Sequence, residues 1–131
     1  MAQGGIDVIL GARHEPGFGP ALMVGVGGVL AEAIGRVAVR PLPLTRADAE
    51  AMIEEAGLAQ LLASARHGRP YDRPALVAAI LGLARLLGDH GAVIEELDVN
   101  PLRVLHAGEG VLALDALIVP RVPQQSTPFG K

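Results

Sequence analysis

The residues best suited to chemistry lie in Glu95-Glu96-Leu97-Asp98-Val99-Asn100-Pro101-Leu102, where oxygen-bearing side chains alternate with aliphatic ones. A strand turns successive side chains to opposite faces, so Glu96, Asp98 and Asn100 share one face while Leu97 and Val99 share the other. Three oxygen donors at that spacing suit a hard divalent cation such as Mg²⁺. Pro101 has no N–H for a ladder, which predicts a strand that is edge-like or interrupted just after Asn100.

A second carboxylate is placed to meet them. Val111 to Ile118 reads as a strand whose only charge is Asp115, and His106-Ala107-Gly108-Glu109 reads as a hairpin loop. If Leu105 pairs with Gly110, the constant index sum of an antiparallel hairpin sets Asn100 opposite Asp115. Directly opposed residues have Cβ atoms about 4.5–5.5 Å apart, so both side chains reach one ion. A lone acidic residue on a strand usually faces water, and Glu95 and Glu96 alone would read as charges that blunt a sheet edge. The combination says more. Asp115 stands in a strand apolar on both faces, where an unpaired charge is costly, so its burial beside a cation is the expectation.

The elements that must position these groups can be read in order. Ile6 to Ala12 alternates as a strand with Asp7 its polar member, and Arg13 to Pro20 reads as a loop rich in Pro and Gly. Ala21 to Gly28 is an apolar strand running into glycines. Gly25, Gly27 and Gly28 form a pattern that either cradles a phosphate on backbone N–H groups or makes a flexible turn. Val29 to Ile34 reads as a short helical turn carrying Glu32, and Arg36 to Leu44 as a strand with Arg40 before a proline. Thr45 and Asp48 make an approximate capping box for a helix over Arg46 to Ala56, which Gly57 ends. Leu58 to Ala65 predicts a short helix. Asp72 and Pro74 open the longest helix, whose stripe is Leu76, Ile80, Leu83, Ala84 and Leu87, with Gly88 as its stop. The four histidines fall in predicted loops, without metal-ligand spacing or a nucleophile partner.

Strands outnumber crossovers, so the fold class is α+β: a mainly antiparallel sheet with helices packed on one face. Residues 1–121 form one domain and residues 122–131 a tail. Half of the 131 residues are hydrophobic, but only two Phe and one Tyr are aromatic, so the core must be aliphatic. A net charge of −3 without a basic tract points away from nucleic acid and anionic membranes. The absence of cysteine removes disulfides, thiolate metal sites and Cys nucleophiles. Pro20 to Ala31 is too short to span a bilayer and no secretory pattern stands at Met1 to Gly5, so a cytoplasmic protein is the expectation.

Several motifs recur in one order: Gly5-Ile6-Asp7-Val8-Ile9-Leu10-Gly11, Pro16-x-Phe18-Gly19-Pro20, Gly25-x-Gly27-Gly28, Arg40-x-x-Pro43-Leu44 and Glu96-Leu97-Asp98-Val99-Asn100-Pro101-Leu102. Together they resemble the NDP-forming (ADP-forming) acyl-CoA synthetases, in the C-terminal half of their ATP-grasp domain, from about Gly5 to Arg121. The resemblance implies phosphoryl exchange between ADP and an acyl-CoA, with Mg²⁺ and ATP/ADP as cofactors. It implies Asp98, Asn100 and Asp115 as metal ligands and the three glycines in nucleotide binding. It also implies phosphate handling by Arg40 and Glu32. Glu15 stands where the family carries Asp. The resemblance further implies partners, namely the other ATP-grasp half and CoA-binding domains or a subunit, without which this chain is expected to be inactive. Two other readings compete: a non-catalytic nucleotide-sensing module like those fused to acetyltransferases, and a purely structural oligomerisation domain.

Overall fold

A computed structural model describes residues 4–27, 36–64 and 68–122. Strands β1 (Ile6–Glu15), β2 (Gly19–Val26) and β3 (Val37–Pro41) come first. Helices α1 (Arg46–Glu55), α2 (Leu58–Ala63) and α3 (Arg73–His90) follow, then β4 (Ile94–Val104), β5 (Val111–Ala113) and β6 (Ala116–Pro120). Among the described residues the strands make one antiparallel sheet in the order β3-β2-β1-β4-β5, with β6 also pairing β4. The helices all pack on one face, as the alternation of the strands predicts.

That alternation is simplest in the hairpin β1–β2. Val8, Leu10 and Ala12 face the helices together with Leu22, Val24 and Val26, and all are buried. Ile9, Gly11, Met23 and Gly25 face the other way. The expected loop Arg13 to Pro20 is much shorter in the structure, because only Pro16, Gly17 and Phe18 are needed to turn the chain. Phe18 N–H closes the turn on Glu15 O at 3.0 Å, and positive φ at Gly17 (74°) and Gly19 (86°) allows it.

Helix α1 has the predicted reciprocal cap: Asp48 N–H donates to Thr45 Oγ1 at 3.1 Å and Thr45 N–H to Asp48 Oδ2 at 2.9 Å. Asp72 caps α3, with Pro74 in its first turn. The expected stop at Gly88 is a correction: α3 continues to His90 and is capped by Gly91. Gly88 stays within the helix because Leu87 beside it, fully buried, holds the last turn on the core. The core that results is aliphatic, with Tyr71 its one aromatic member among the described residues. Each buried Leu, Ile or Val side chain in it contributes about 1.5–3 kcal/mol of transfer free energy. Two of the histidines placed in loops lie elsewhere: His14 is in β1 and His90 ends α3.

Strand β4 is neither edge-like nor interrupted. It lies between β1 and the β5–β6 side and runs through Pro101. A bulge makes this possible. Val8 pairs with Leu102 and Leu10 with Val99, so Asn100 and Pro101 together oppose Ile9. Pro101 uses only its carbonyl, which accepts from Leu114 N–H at 3.0 Å. The extra residue also switches the parity of the strand: Leu97 faces the helices before the bulge, and Leu102 and Val104 do so after it. The predicted strand Val111 to Ile118 is split at Leu114 and Asp115, yet β5 and β6 keep one register against β4, in which Leu102 opposes Ala113 and Val99 opposes Ala116. The predicted helical turn Val29 to Ile34 lies outside the described residues.

Candidate metal and phosphate site

Three helices cover one side of the sheet; no described element covers the other. On that bare side two rows of side chains cross the strands. One row runs Val37, Gly25, Ile9, Asn100, Asp115, and the next Val39, Met23, Gly11, Asp98, Leu117. Each row is therefore aliphatic at the β3 end and carries an oxygen group on β4, followed by Asp115 in the first row and Leu117 in the second.

The hairpin arithmetic holds in the structure. Leu105 N–H donates to Gly110 O at 3.0 Å, and Asn100 N–H donates to Asp115 O at 3.0 Å. Asp98, Asn100 and Asp115 line one concavity of about 260 Å³ with Ala116 and Leu117. Asp98 is half-buried, whereas Asn100 and Asp115 are exposed. The expected burial of Asp115 is thus corrected: the chain from Leu112 to Ile118 is exposed throughout, and its carboxylate with it. Among the described residues no three His, Cys, Asp or Glu side chains gather closely enough to hold an ion alone. The set is two carboxylates and one amide, whose carbonyl oxygen is its only donor to a metal. That donor set fits Mg²⁺, which keeps several waters and binds through one or two carboxylates plus phosphate oxygens.

A second concavity of about 210 Å³ adjoins the first through Asp98. It is lined on the bare face by Gly11, Met23, Val39 and Glu96, with Arg13 and Glu15 at its end. Gly11 leaves its floor open: a Cβ there would stand 3.6 Å from both Asp98 Oδ1 and Met23 Cε. Sequence reading did not single out Gly11, Met23 or Val39, although strict alternation along β1 to β3 was the signal available. It also passed over Arg103, which faces the same side beyond the bulge and is held bidentately by Asp7 at 2.8 and 3.1 Å. Donating these hydrogen bonds to Asp7 raises the guanidinium pKa further.

The remaining predicted residues are not gathered here. Arg40 shares the helix-bearing side with Ala38 and grips Glu55 of α1 through both nitrogens, at 2.9 and 3.0 Å. That hydrogen bonding raises the Arg40 pKa and lowers that of Glu55. Gly25 sits in the ladder between Ile9 and Val37, where a Cβ would meet Val37 Cγ1 at 3.0 Å and Ile9 Cδ1 at 3.3 Å. Gly27 lets β1 approach: its N–H donates to Asp7 O at 2.8 Å, and a Cβ would lie 3.0 Å from that oxygen. Gly25 makes room for neighbouring side chains, and Gly27 for the close approach of the β1 backbone. Gly28 and Glu32 lie outside the described residues. A further concavity, about 410 Å³, lies between Leu42–Leu44 and α3 and includes none of the predicted site residues.

The model of the ATP-grasp domain matches residues 1–119. The chain belongs to the ATP-grasp family. Its sequence is 39% identical over 119 residues to the β subunit of an ADP-forming acetate–CoA ligase (II) from Pyrococcus furiosus, covering 91% of this chain and 50% of that one. An ADP-forming 4-hydroxybutyrate–CoA ligase from Nitrosopumilus maritimus is 37% identical, over 90% of this chain and 17% of its own length. Among solved structures, a Pyrococcus horikoshii protein superposes with a TM-score of 0.83 at 36% identity, over 92% of this chain and 51% of that chain. A dinucleotide-forming acetyl-coenzyme A synthetase from Candidatus Korarchaeum cryptofilum, solved with coenzyme A and Mg-AMPPCP, gives 0.78 at 36% identity, over 92% and 55%. This ATP-grasp chain thus has ADP-forming acyl-CoA synthetases as relatives, as its motifs imply, and spans about half the length of the β subunit it matches. No helix among the described residues is long and apolar enough to cross a membrane.

Proposed function

We propose that the bare face of the sheet holds the phosphate end of ADP or ATP together with Mg²⁺, ligated by Asp98, Asn100 and Asp115. One observation carries this: the Asn100–Asp115 pairing brings all three side chains to a single open concavity on the uncovered side. A bound Mg²⁺ would neutralise charge on the phosphates, which is the main demand of phosphoryl transfer. The chain's own residues do the rest. Asp98 and Asn100 would hold the ion from β4 and Asp115 from the segment between β5 and β6, and the aliphatic rows through Gly11, Met23 and Val39 offer a surface for the less polar part of the nucleotide.

The wider role we assign is that of the Mg-nucleotide portion of an NDP-forming acyl-CoA synthetase, coupling acyl-CoA thioester chemistry to ADP/ATP phosphoryl exchange. The relatives' activities support it. Further ATP-grasp and CoA-binding parts, on another segment or subunit, would close the bare face, and the 131-residue chain alone would not turn over.

The test is Mn²⁺ binding followed by electron paramagnetic resonance, with and without ADP, on the wild type and Asp115→Ala. Binding by the wild type that Asp115→Ala abolishes is the expected result. Equal binding by both proteins would remove Asp115 from the site, and a wild type that binds no Mn²⁺ even with ADP would end the reading for this chain.

A further inference from the structure

The register that brings Asp115 beside Asn100 is not secured by the strand that carries it. Val111 to Ile118 is apolar on both faces, and Leu112, Leu114, Leu117 and Ile118 remain 45–58% exposed. Register is strongly specified where one face is buried and the other is not. Here a slip by one residue would bury much the same area, yet it would turn Asp115 to the helix-bearing side. The turn must therefore set the register.

That turn is held from outside by Asp72, the one charged side chain buried among the described residues, 9% exposed. Its Oδ1 accepts from Ala75 N–H at 3.2 Å, which caps α3. Its Oδ2 reaches across to the hairpin and accepts from Gly108 N–H at 3.1 Å and Gly110 N–H at 2.8 Å. Both glycines have positive φ, 87° and 84°, which turns their N–H groups toward the carboxylate. The backbone reinforces the junction: Asp72 N–H donates to Leu105 O at 2.8 Å and Ala107 N–H to Pro70 O at 2.9 Å. Beside it Tyr71 stacks on His106 with centroids 4.7 Å apart.

We propose that Asp72 is a positioning residue for the metal set: it clamps the β4–β5 turn to the start of α3 and so fixes the register that places Asp115 beside Asn100. The functional part rests on the ion-binding reading above; the structural part does not. Asp72→Ser separates the two duties of the side chain, since Ser is a good N-cap but is too short to span to the hairpin. On the full 131-residue chain, amide exchange should keep α3 protected in Asp72→Ser, while Gly110, Asn100 and Leu114 exchange at least tenfold faster. Mn²⁺ affinity should fall at least fivefold alongside. Loss of protection at Gly110 with Asn100 and Leu114 unchanged would overturn the proposal and leave Asp72 a helix cap. Should Asp72→Ser fail to fold, Asp72→Asn decides by the same amides, since its one oxygen keeps the cap on Ala75 and leaves an NH₂ opposed to the glycine N–H groups. Were the wild type to bind no Mn²⁺, the ion-binding reading alone would fall, and the exchange data would still judge Asp72.

Discussion

The two faces of the sheet are made by the same strands and differ in almost everything else. On the helix side Val8, Leu22 and Val24 have no exposed surface, whereas on the bare side Val37 and Val39 are 49% and 44% exposed. The covered face holds the molecule together; the uncovered face places oxygen groups, glycine and aliphatic side chains where a ligand can reach them. Alternating residues one position apart along a strand thus serve different ends, and substitutions on neighbouring residues should separate stability from binding.

The largest contrast is expected between Leu22→Ala and Val39→Ala, measured by urea denaturation. Truncating the buried leucine should cost about 2–5 kcal/mol, including the cavity it leaves. The valine on the bare face should change stability by only about 0.5 kcal/mol; comparable losses would mean that the bare face is covered in solution. Next comes the acid set, where the order reverses. Asp98→Ala should lower Mn²⁺ affinity at least tenfold and move the urea midpoint little, because the half-buried carboxylate has no hydrogen-bond donor to lose among the described residues.

Gly11→Ala sharpens the comparison at a single atom. The added methyl meets Asp98 and Met23 at ordinary contact distance, so the fold should survive while ADP binding, read by calorimetry with Mg²⁺ present, weakens severalfold. The smallest effect concerns Arg40. If it serves the covered face, Glu55→Gln should lower the urea midpoint slightly at pH 7, and the gap to wild type should close at acid pH. The sign follows from the lowered Glu55 pKa, caused by its hydrogen bonds from Arg40: the stabilisation is present above the ordinary carboxylate range and is lost as pH falls through the folded value. A gap that persists at pH 3 would mean that the pair contributes nothing through ionisation.

The covered face was the legible one. Alternation in β1 and β2, the Thr45–Asp48 box and the Asp72–Pro74 start of α3 are local patterns with local causes, so the fold class followed from them. The hairpin register was legible too, because it needs only the loop length. What escaped was nonlocal. Pro101 read as a strand terminator because its missing N–H is visible in sequence, while the bulge that accommodates it depends on Ile9 in a distant strand. Gly25 and Gly27 read as a phosphate cradle for the same reason: their crowding neighbours, Val37 and Asp7, belong to other strands. Arg40 looked available until Glu55, on a helix, was there to pair with it.

The order of the strands carries a further consequence for how the chain comes to be folded. β1 meets β2 across a tight turn, but its other neighbour is β4, so Ile6 waits for Val104. Pairings so distant in sequence close late and slow folding. During synthesis, the first hairpin and the helices must wait with one side of β1 open until β4 has left the ribosome. The acid set, which sits on β4 and beyond it, comes together only after those strands pair, so metal binding would report the completed sheet and none of its precursors.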